Sequence, residues 1–408
     1  MSGADGGPAG AQRSAIVVGA GIVGLATARE LLARRPDMQV TVVEKEPEVG
    51  LHQSGRNSGV IHSGVYYTPG SLRARTTRRG IELLEPFCAE RGVKLVPRGK
   101  VIVATRPSER PYLDELLRRG RANGVPGVAL IGPERLREIE PHAGGLAALH
   151  VPGVATVDFA EVTRALVADV AARGGRVECG SLVTGLEPSA GGATVTTPQG
   201  RLRADAAVVC AGVHADRLAR LAGDQADPRI VPFRGDYWLL RPERASLVRG
   251  LIYPVPDPRL PFLGVHATRR GDDQVWIGPG AVLALAREGY RRGSVDRREL
   301  ATLARNPALW RLGRRFWRYG ASELAHSRSR RLTARALRRY LPEVTAADLV
   351  PGPNGIRAQA LGRDGRLLDD FVVTHRGPIT LVRNAPSPAA TAAMAIAELI
   401  VGAMAHTG

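Results

Sequence analysis

The 408-residue chain predicts an α/β protein in which a discontinuous Rossmann-like nucleotide-binding domain alternates with a second, mainly β domain carrying a helical insertion. Three observations carry this prediction. The apolar run Ala15-Ile16-Val17-Val18 enters the turn Gly19-Ala20-Gly21-Ile22-Val23-Gly24, and a helix-like segment and a second apolar run follow, closing on Glu44. Far downstream, Ala206-Ala207-Val208-Val209-Cys210 runs into Ala211-Gly212, so the nucleotide domain is completed after an interruption. Between residues 230 and 280 the pattern changes to longer β-type runs, at 230–240, 251–255, 262–268 and 274–278.

The opening unit holds an adenine dinucleotide. Gly19 permits the tight turn, Gly21 lets backbone approach a pyrophosphate, and Gly24 lets helix and strand pack closely. The pyrophosphate meets the free N–H groups and positive dipole end of a helix starting near Ile22. Glu44, twenty positions beyond Gly24, accepts from a ribose diol. Helices follow at 108–123 and 133–139, a strand ends near Val151, and an amphipathic helix covers 158–173. Strands are expected at 176–186 and 193–197, a helical and strongly basic region at 284–340, and two further strands at about 355–360 and 379–382. A last helix opens with Ser387 as N-cap and Pro388 as its first residue. Residues 14–98, 155–228 and 345–408 are assigned to the nucleotide-binding domain, and 99–154 and 229–344 to the second domain. Residues 1–13, rich in Gly and Ala, read as a disordered tail and not as a signal peptide.

Composition narrows the function. Three cysteines, Cys88, Cys179 and Cys210, without a CxxC pair argue for a reducing compartment and against a disulfide framework or zinc site; no metal cluster is expected. The expected location is cytoplasmic. The stretch 389–405 is interrupted by Glu398 and reads as a buried helix rather than a membrane span. The net charge of +18 comes from 57 basic residues of which only Lys45, Lys94 and Lys100 are lysines. Without zinc-finger spacing or RNP-type aromatics, no nucleic acid is expected as partner. Residues 310–319 combine arginines with Trp310, Phe316, Trp317 and Tyr319; they read either as a helix lying on the inner, anionic membrane face or as a solvated helical face.

Several blocks resemble the FAD-dependent L-2-hydroxyglutarate dehydrogenases and oxidases, within the D-amino-acid-oxidase-like flavoproteins. They include Arg56-Asn57-Ser58-Gly59-Val60-Ile61-His62-Ser63-Gly64-Val65-Tyr66-Tyr67, Pro232-Phe233-Arg234-Gly235, Phe262-Leu263-Gly264-Val265-His266, Gly355-Ile356-Arg357-Ala358-Gln359 and Asn384-Ala385-Pro386-Ser387-Pro388-Ala389-Ala390-Thr391. The resemblance spans most of the chain; Arg56 departs from it, standing where many relatives have His. It implies a D-amino-acid-oxidase-like fold, FAD as cofactor, and oxidation of L-2-hydroxyglutarate to 2-oxoglutarate by hydride transfer from C2 to flavin N5. An amine or amino-acid oxidase of the same fold is the alternative. The implied FAD contacts are Gly19, Ala20, Gly21, Ile22, Val23, Gly24, Glu44, Lys45, Gln53, Ser54, Asn57, Ser58, Gly59, Val183, Ala211, Gly212, Pro386 and Ser387. The electron acceptor is a membrane quinone or oxygen.

Oxidising a 2-hydroxy acid needs a base for the hydroxyl proton and a cationic clamp for carboxylate. His62 is assigned as base and His266 as substrate ligand, histidine having its unperturbed pKa near working pH. Arg234 and Arg357 stand in apolar strands, where a guanidinium implies a structural acid or an anionic ligand. Asp236, two positions from Arg234, offers the structural option; two free arginines would suit a dicarboxylate. Tyr66 either covers the flavin, donates to a carboxylate, or packs. The Ser387-capped helix is expected to aim its N-terminus at the flavin N1 and C2 carbonyl.

Overall fold

The computed structural model describes residues 13–189, 191–224, 227–260, 262–278 and 280–404; apart from Arg13, the expected tail lies outside the described residues. Strand β1 (Ser14–Val18), helix α1 (Ile22–Arg34) and strand β2 (Gln39–Val43) form the opening unit. Gly19 turns the chain with φ +102°, and α1 ends one residue before Arg35, which the following Pro36 biases away from helix. Helix α2 (Leu72–Glu90) is capped by Ser71, whose hydroxyl accepts from the Ala74 N–H. Strands β3 (Lys100–Ala104) and β4 (Ala147–Val151) precede α3 (Phe159–Ala172), capped by the Asp158 carboxylate. Then come β5 (Arg176–Glu178), β6 (Ala206–Val209), β7 (Arg229–Leu240), β8 (Leu251–Pro254), β9 (Ala267–Arg269) and β10 (Val275–Ile277). Helix α4 (Pro307–Arg328), β11 (Leu349–Leu361), β12 (Val372–Arg376), β13 (Ile379–Asn384) and α5 (Ala393–Met404) complete the elements that position the site.

Two large sheets result. The first has the order β12-β13-β6-β1-β2-β5, parallel throughout except for the β12 edge. Its apolar strands read as continuous runs because helices α1, α3 and α5 cover one face and the sheet Gly185–Ala204 packs on the other. The second sheet joins β7, β10, β9, β8, β3 and β4 in that order, with β11 alongside β7. It is largely antiparallel, and β3 runs parallel to β8. No helix among the described residues is long and apolar enough to cross a membrane.

The architecture follows the expectation, with corrections. Strand β11 pairs with β7 along its whole length, so 349–361 belongs to the second sheet and not to the nucleotide-binding domain. The expected strand 355–360 is the second half of β11; Pro351, Gly352 and Pro353 hid its first half, and a register shift between Asp236 and Trp238 accommodates them. The expected strand 262–268 shrinks to β9, because the ring of His266 donates to the Gly264 carbonyl and takes the chain out of the ladder. Residues 284–296 are not helical; Arg287 is buried there between Asp216 and Glu299, and helix begins only at Arg297.

The last helix starts at Ala393, so Ser387 is no cap; it is exposed, and its carbonyl accepts from Arg73 at 2.6 Å. Pro388 biases Ser387 away from the helical region, and residues 386–392 form turns instead. Those turns bring Ala389 and Ala390 to the cofactor cleft and Thr391 to the loop of His62.

Candidate active site

A cleft of about 660 Å³ opens beyond the carboxyl ends of β1, β2 and β6, where strand order places a nucleotide in an open α/β sheet. The glycines make its floor. A Cβ on Gly19 would lie 2.5 Å from the Cys210 carbonyl, and one on Gly24 only 1.9 Å from the Gly19 carbonyl. Gly21 meets nothing closer than the Ser54 hydroxyl at 3.3 Å, so its face stays open for a ligand. The Glu44 carboxylate accepts from the Ala20 N–H at 2.8 Å, fixing the acid to the glycine turn, and the Ser54 hydroxyl accepts from the Ile22 N–H at 2.9 Å. A bare turn, a dipole-bearing helix start and a buried acid fit an adenine dinucleotide.

Of the expected contacts, Gly19, Gly21, Ile22, Val23, Glu44 and Lys45 line the cleft, as do Gln53, Ser54, Val183, Ala211 and Gly212. Lys45 lines it with its charge engaged by Glu46 and by Glu288 at 2.6 Å. Ala20 and Gly24 stand behind the turn, as packing positions. Asn57 knots its own loop, donating to the carbonyls of Gln53 and Ser54 and accepting from the Gly59 N–H. Gly59 has φ +73°, and a Cβ there would sit 2.7 Å from the Val157 carbonyl. Asn57, Ser58, Gly59, Pro386 and Ser387 are not among the residues lining the cleft; Asn384, Ala385, Ala389 and Ala390 are. The sequence missed His52, whose ring meets the Tyr290 hydroxyl at 2.6 Å and so ties the cofactor loop to the second domain. Arg56 stacks on the same Tyr290 ring at 4.2 Å.

The expected catalytic residues divide into two groups. His62, His266, Arg357 and Tyr66 come together; Arg234 does not join them. In the β7/β11 ladder Arg357 lies opposite Phe233, so Arg234 points to the other face. There its guanidinium donates to both oxygens of Asp236, at 2.6 and 3.2 Å, in the structural pair that their spacing allowed. Arg357 forms no ion pair among the described residues, Glu323 lying only within reach of its charge, and it stacks on Phe262 at 5.3 Å.

His62 is half-buried, its backbone N–H donating to the Thr391 hydroxyl at 3.2 Å; His266 is 4% exposed and stacked on Tyr253 at 4.0 Å. Because a carbonyl only accepts, the Gly264 oxygen at 2.8 Å fixes the proton of His266 on Nδ1 and leaves Nε2 with its lone pair. Burial, reinforced by the charges of Lys100, Arg73 and Arg357, pushes the His62 pKa from 6.5 down to about 3. Burial, with Arg357 and Lys100, takes His266 from 6.5 to about 3 as well. Both rings are therefore neutral proton acceptors. The Tyr66 hydroxyl is buried without a hydrogen-bond partner among the described residues, and burial raises its pKa well above 10, so it stays a neutral donor for a ligand. Lys100, which the sequence did not single out, stands among these groups.

These shifts have a consequence for stability. Between about pH 6.5 and 3 the unfolded chain binds protons at His62 and His266 that the fold refuses, so stability falls as pH drops through that window. Each fully refused proton contributes a slope of up to about 1.4 kcal/mol per pH unit. Thermal melts from pH 7 to 5 should decline more steeply for the parent protein than for His266→Gln; parallel curves would show that His266 is protonated in the fold.

A cleft on a dinucleotide turn, tied through the 389–391 segment to the loop of a neutral imidazole and lined by Ala358 next to the unpaired Arg357, defines a dinucleotide-dependent oxidoreductase. The family model described as FAD dependent oxidoreductase matches residues 14–403; the chain belongs to that family, and FAD is its cofactor. Within it, the chain is similar to the mitochondrial L-2-hydroxyglutarate dehydrogenase of Nematostella vectensis, at 45% identity over 94% of this chain and 88% of that protein. The human mitochondrial L-2-hydroxyglutarate dehydrogenase is 42% identical over 94% of this chain and 87% of its own. That of Indibacter alkaliphilus is 42% identical over 93% and 96%. The fold matches the FAD-bound L-alpha-glycerophosphate oxidase of Mycoplasma pneumoniae with a TM-score of 0.76 at 22% identity, covering 96% of this chain and 94% of that one.

Proposed function

We propose that this protein oxidises L-2-hydroxyglutarate to 2-oxoglutarate. The observation that carries the reading is the unpaired Arg357 guanidinium beside two imidazoles held neutral. FAD, when bound, supplies the two-electron acceptor for the hydride leaving C2. The chain supplies the rest. Arg357 binds a carboxylate, the Tyr66 hydroxyl donates to the substrate, and His62 takes the hydroxyl proton as the C2–H bond breaks. His62 suits that task because Thr391 anchors its backbone to the segment that lines the cofactor cleft. A second reading gives the base role to His266, since Gly264 orients its Nε2 lone pair. Segments 14–98, 155–228 and the chain beyond 361 hold the cofactor, and the second sheet with its helices shapes the substrate side.

The acceptor that reoxidises the cofactor is proposed to be a quinone in an anionic membrane, with oxygen as the alternative. Support comes from Trp310 and Trp317, 61% and 63% exposed on α4 among Arg311, Arg314, Arg315 and Arg318.

The decisive experiment is anaerobic titration of the yellow holoprotein with each enantiomer of 2-hydroxyglutarate. The L form should bleach the flavin bands and yield 2-oxoglutarate, while the D form leaves them unchanged. Bleaching by glycine-like amines, with hydroxy acids inert, would make this an amine oxidase instead.

A further inference from the structure

Two carboxylates need two counter-charges, and with Arg234 committed to Asp236 one of the expected pair is missing. Four cations of the described residues are buried: Lys100, Arg234, Arg287 and Arg383. Arg234 pairs with Asp236, Arg287 with Asp216 and Glu299, and Arg383 with Asp224. Lys100, at 2% exposure, forms no ion pair with any carboxylate of the described residues; its amine lies 4.3 Å from the Tyr253 ring centroid and 5.3 Å from that of Tyr66. It opens β3, opposite Leu251 of β8, and strand alternation puts it on the face that carries Tyr253. Tyr253 stacks on His266, and the Tyr66 hydroxyl that shares the pocket is itself without a partner. With no counter-ion beside it, burial pulls the Lys100 pKa from 10.5 down to about 7, and a carboxylate arriving next to the amine would restore its charge.

We propose that Lys100 binds the substrate carboxylate that Arg357 leaves free, and so selects dicarboxylate over monocarboxylate 2-hydroxy acids. This rests on the hydroxy-acid reading of the site. The Tyr253 and Tyr66 rings, 4.3 and 5.3 Å away, hold the ammonium in place by cation–π attraction before the ligand binds, so little order is lost on binding. Lysine suits the position as a compact point charge.

The test uses FAD-loaded holoprotein and two non-reacting probes, glutarate and butyrate, followed by perturbation of the flavin spectrum. In the parent protein glutarate should bind about 10- to 150-fold tighter than butyrate, the effect expected for one charge-assisted contact. Equal binding would overturn the proposal without any variant. Lys100→Met keeps the unbranched apolar stem of the side chain without the charged end. It should lose that preference and lower kcat/KM for L-2-hydroxyglutarate relative to L-2-hydroxyvalerate by a similar factor, because the loss of its field at His62 and His266 acts on both substrates alike; Lys100→Arg should restore part of the preference. A Met variant that slows both substrates equally, or keeps the glutarate preference, would make Lys100 a packing residue. Should the parent protein reduce with L-2-hydroxyvalerate and not with L-2-hydroxyglutarate, the substrate reading fails; the glutarate and butyrate affinities still judge Lys100.

Discussion

Replacing His62 by Gln should slow reduction of the bound flavin by L-2-hydroxyglutarate about 10²- to 10⁴-fold, the usual contribution of a positioned general base. The protein should still purify yellow. His62 contributes only its backbone N–H to Thr391, so the glutamine variant keeps that link and the cleft beyond it. The neutral state of the ring makes it an acceptor at physiological pH, and a dianionic substrate beside it offsets part of the field from Lys100, Arg73 and Arg357 that holds its pKa near 3. Proton affinity thus rises when the substrate is in place. Stopped-flow reduction under anaerobic conditions reads the rate directly, and its pH profile tells a base from a packing residue. A true base variant loses the acid limb and regains speed with added imidazole in His62→Ala. An unchanged rate in His62→Gln, with His266→Gln slowed and stripped of its acid limb, would move the base role to His266, whose Nε2 is already oriented by Gly264.

The two histidines show what a sequence reveals and what it hides. Local backbone demands were legible. Gly19 and Gly24 are required by a turn at φ +102° and by contacts that no side chain survives, and Gly21 leaves the open face a cofactor needs, so the cofactor half could be read from spacing. The Arg234–Asp236 pair was visible as an option because strand alternation puts positions two apart on one face. Lys100 was hidden. Its pocket is assembled by β3 meeting β8 across about 150 residues, and a lysine opening an apolar strand reads as an edge residue in water. Its one sequence signal was being a lysine at all, in a chain whose cations are nearly all arginines. Ser387 misled for the converse reason: Pro-Ser-Pro is a helix-start signal locally, but the segment is bent to reach the cleft and the loop of His62.

Replacing Gly24 by Ala should cost both folding stability and FAD, whereas Gly21→Ala should cost FAD alone. A methyl on Gly24 would lie 1.9 Å from the Gly19 carbonyl oxygen and 3.4 Å from the Cys210 Cβ. Neither neighbour is a flexible side-chain end, so α1 must lift off the sheet by more than about 1 Å to reach ordinary contact. That helix buries Ile22, Leu25, Ala28, Leu31 and Leu32 against the first core, and lifting it loosens all of them. Overpacking of this kind costs about 1–3 kcal/mol, and it displaces the helix start on which the pyrophosphate rests. At position 21 the methyl meets only the Ser54 hydroxyl, at 3.3 Å, which can give by a few tenths of an ångström and still accept from the Ile22 N–H. Gly21→Ala should therefore melt as the apoprotein does, yet hold FAD at least about 100-fold more weakly, because the methyl stands where the cofactor backbone must approach. Differential scanning calorimetry of the apoproteins, with FAD affinity from flavin fluorescence quenching, separates the two effects. If Gly24→Ala keeps the melting temperature and cofactor affinity of the parent, helix and turn are not in the contact that defines this cleft. If Gly21→Ala binds FAD normally, the pyrophosphate does not lie across this face of the turn.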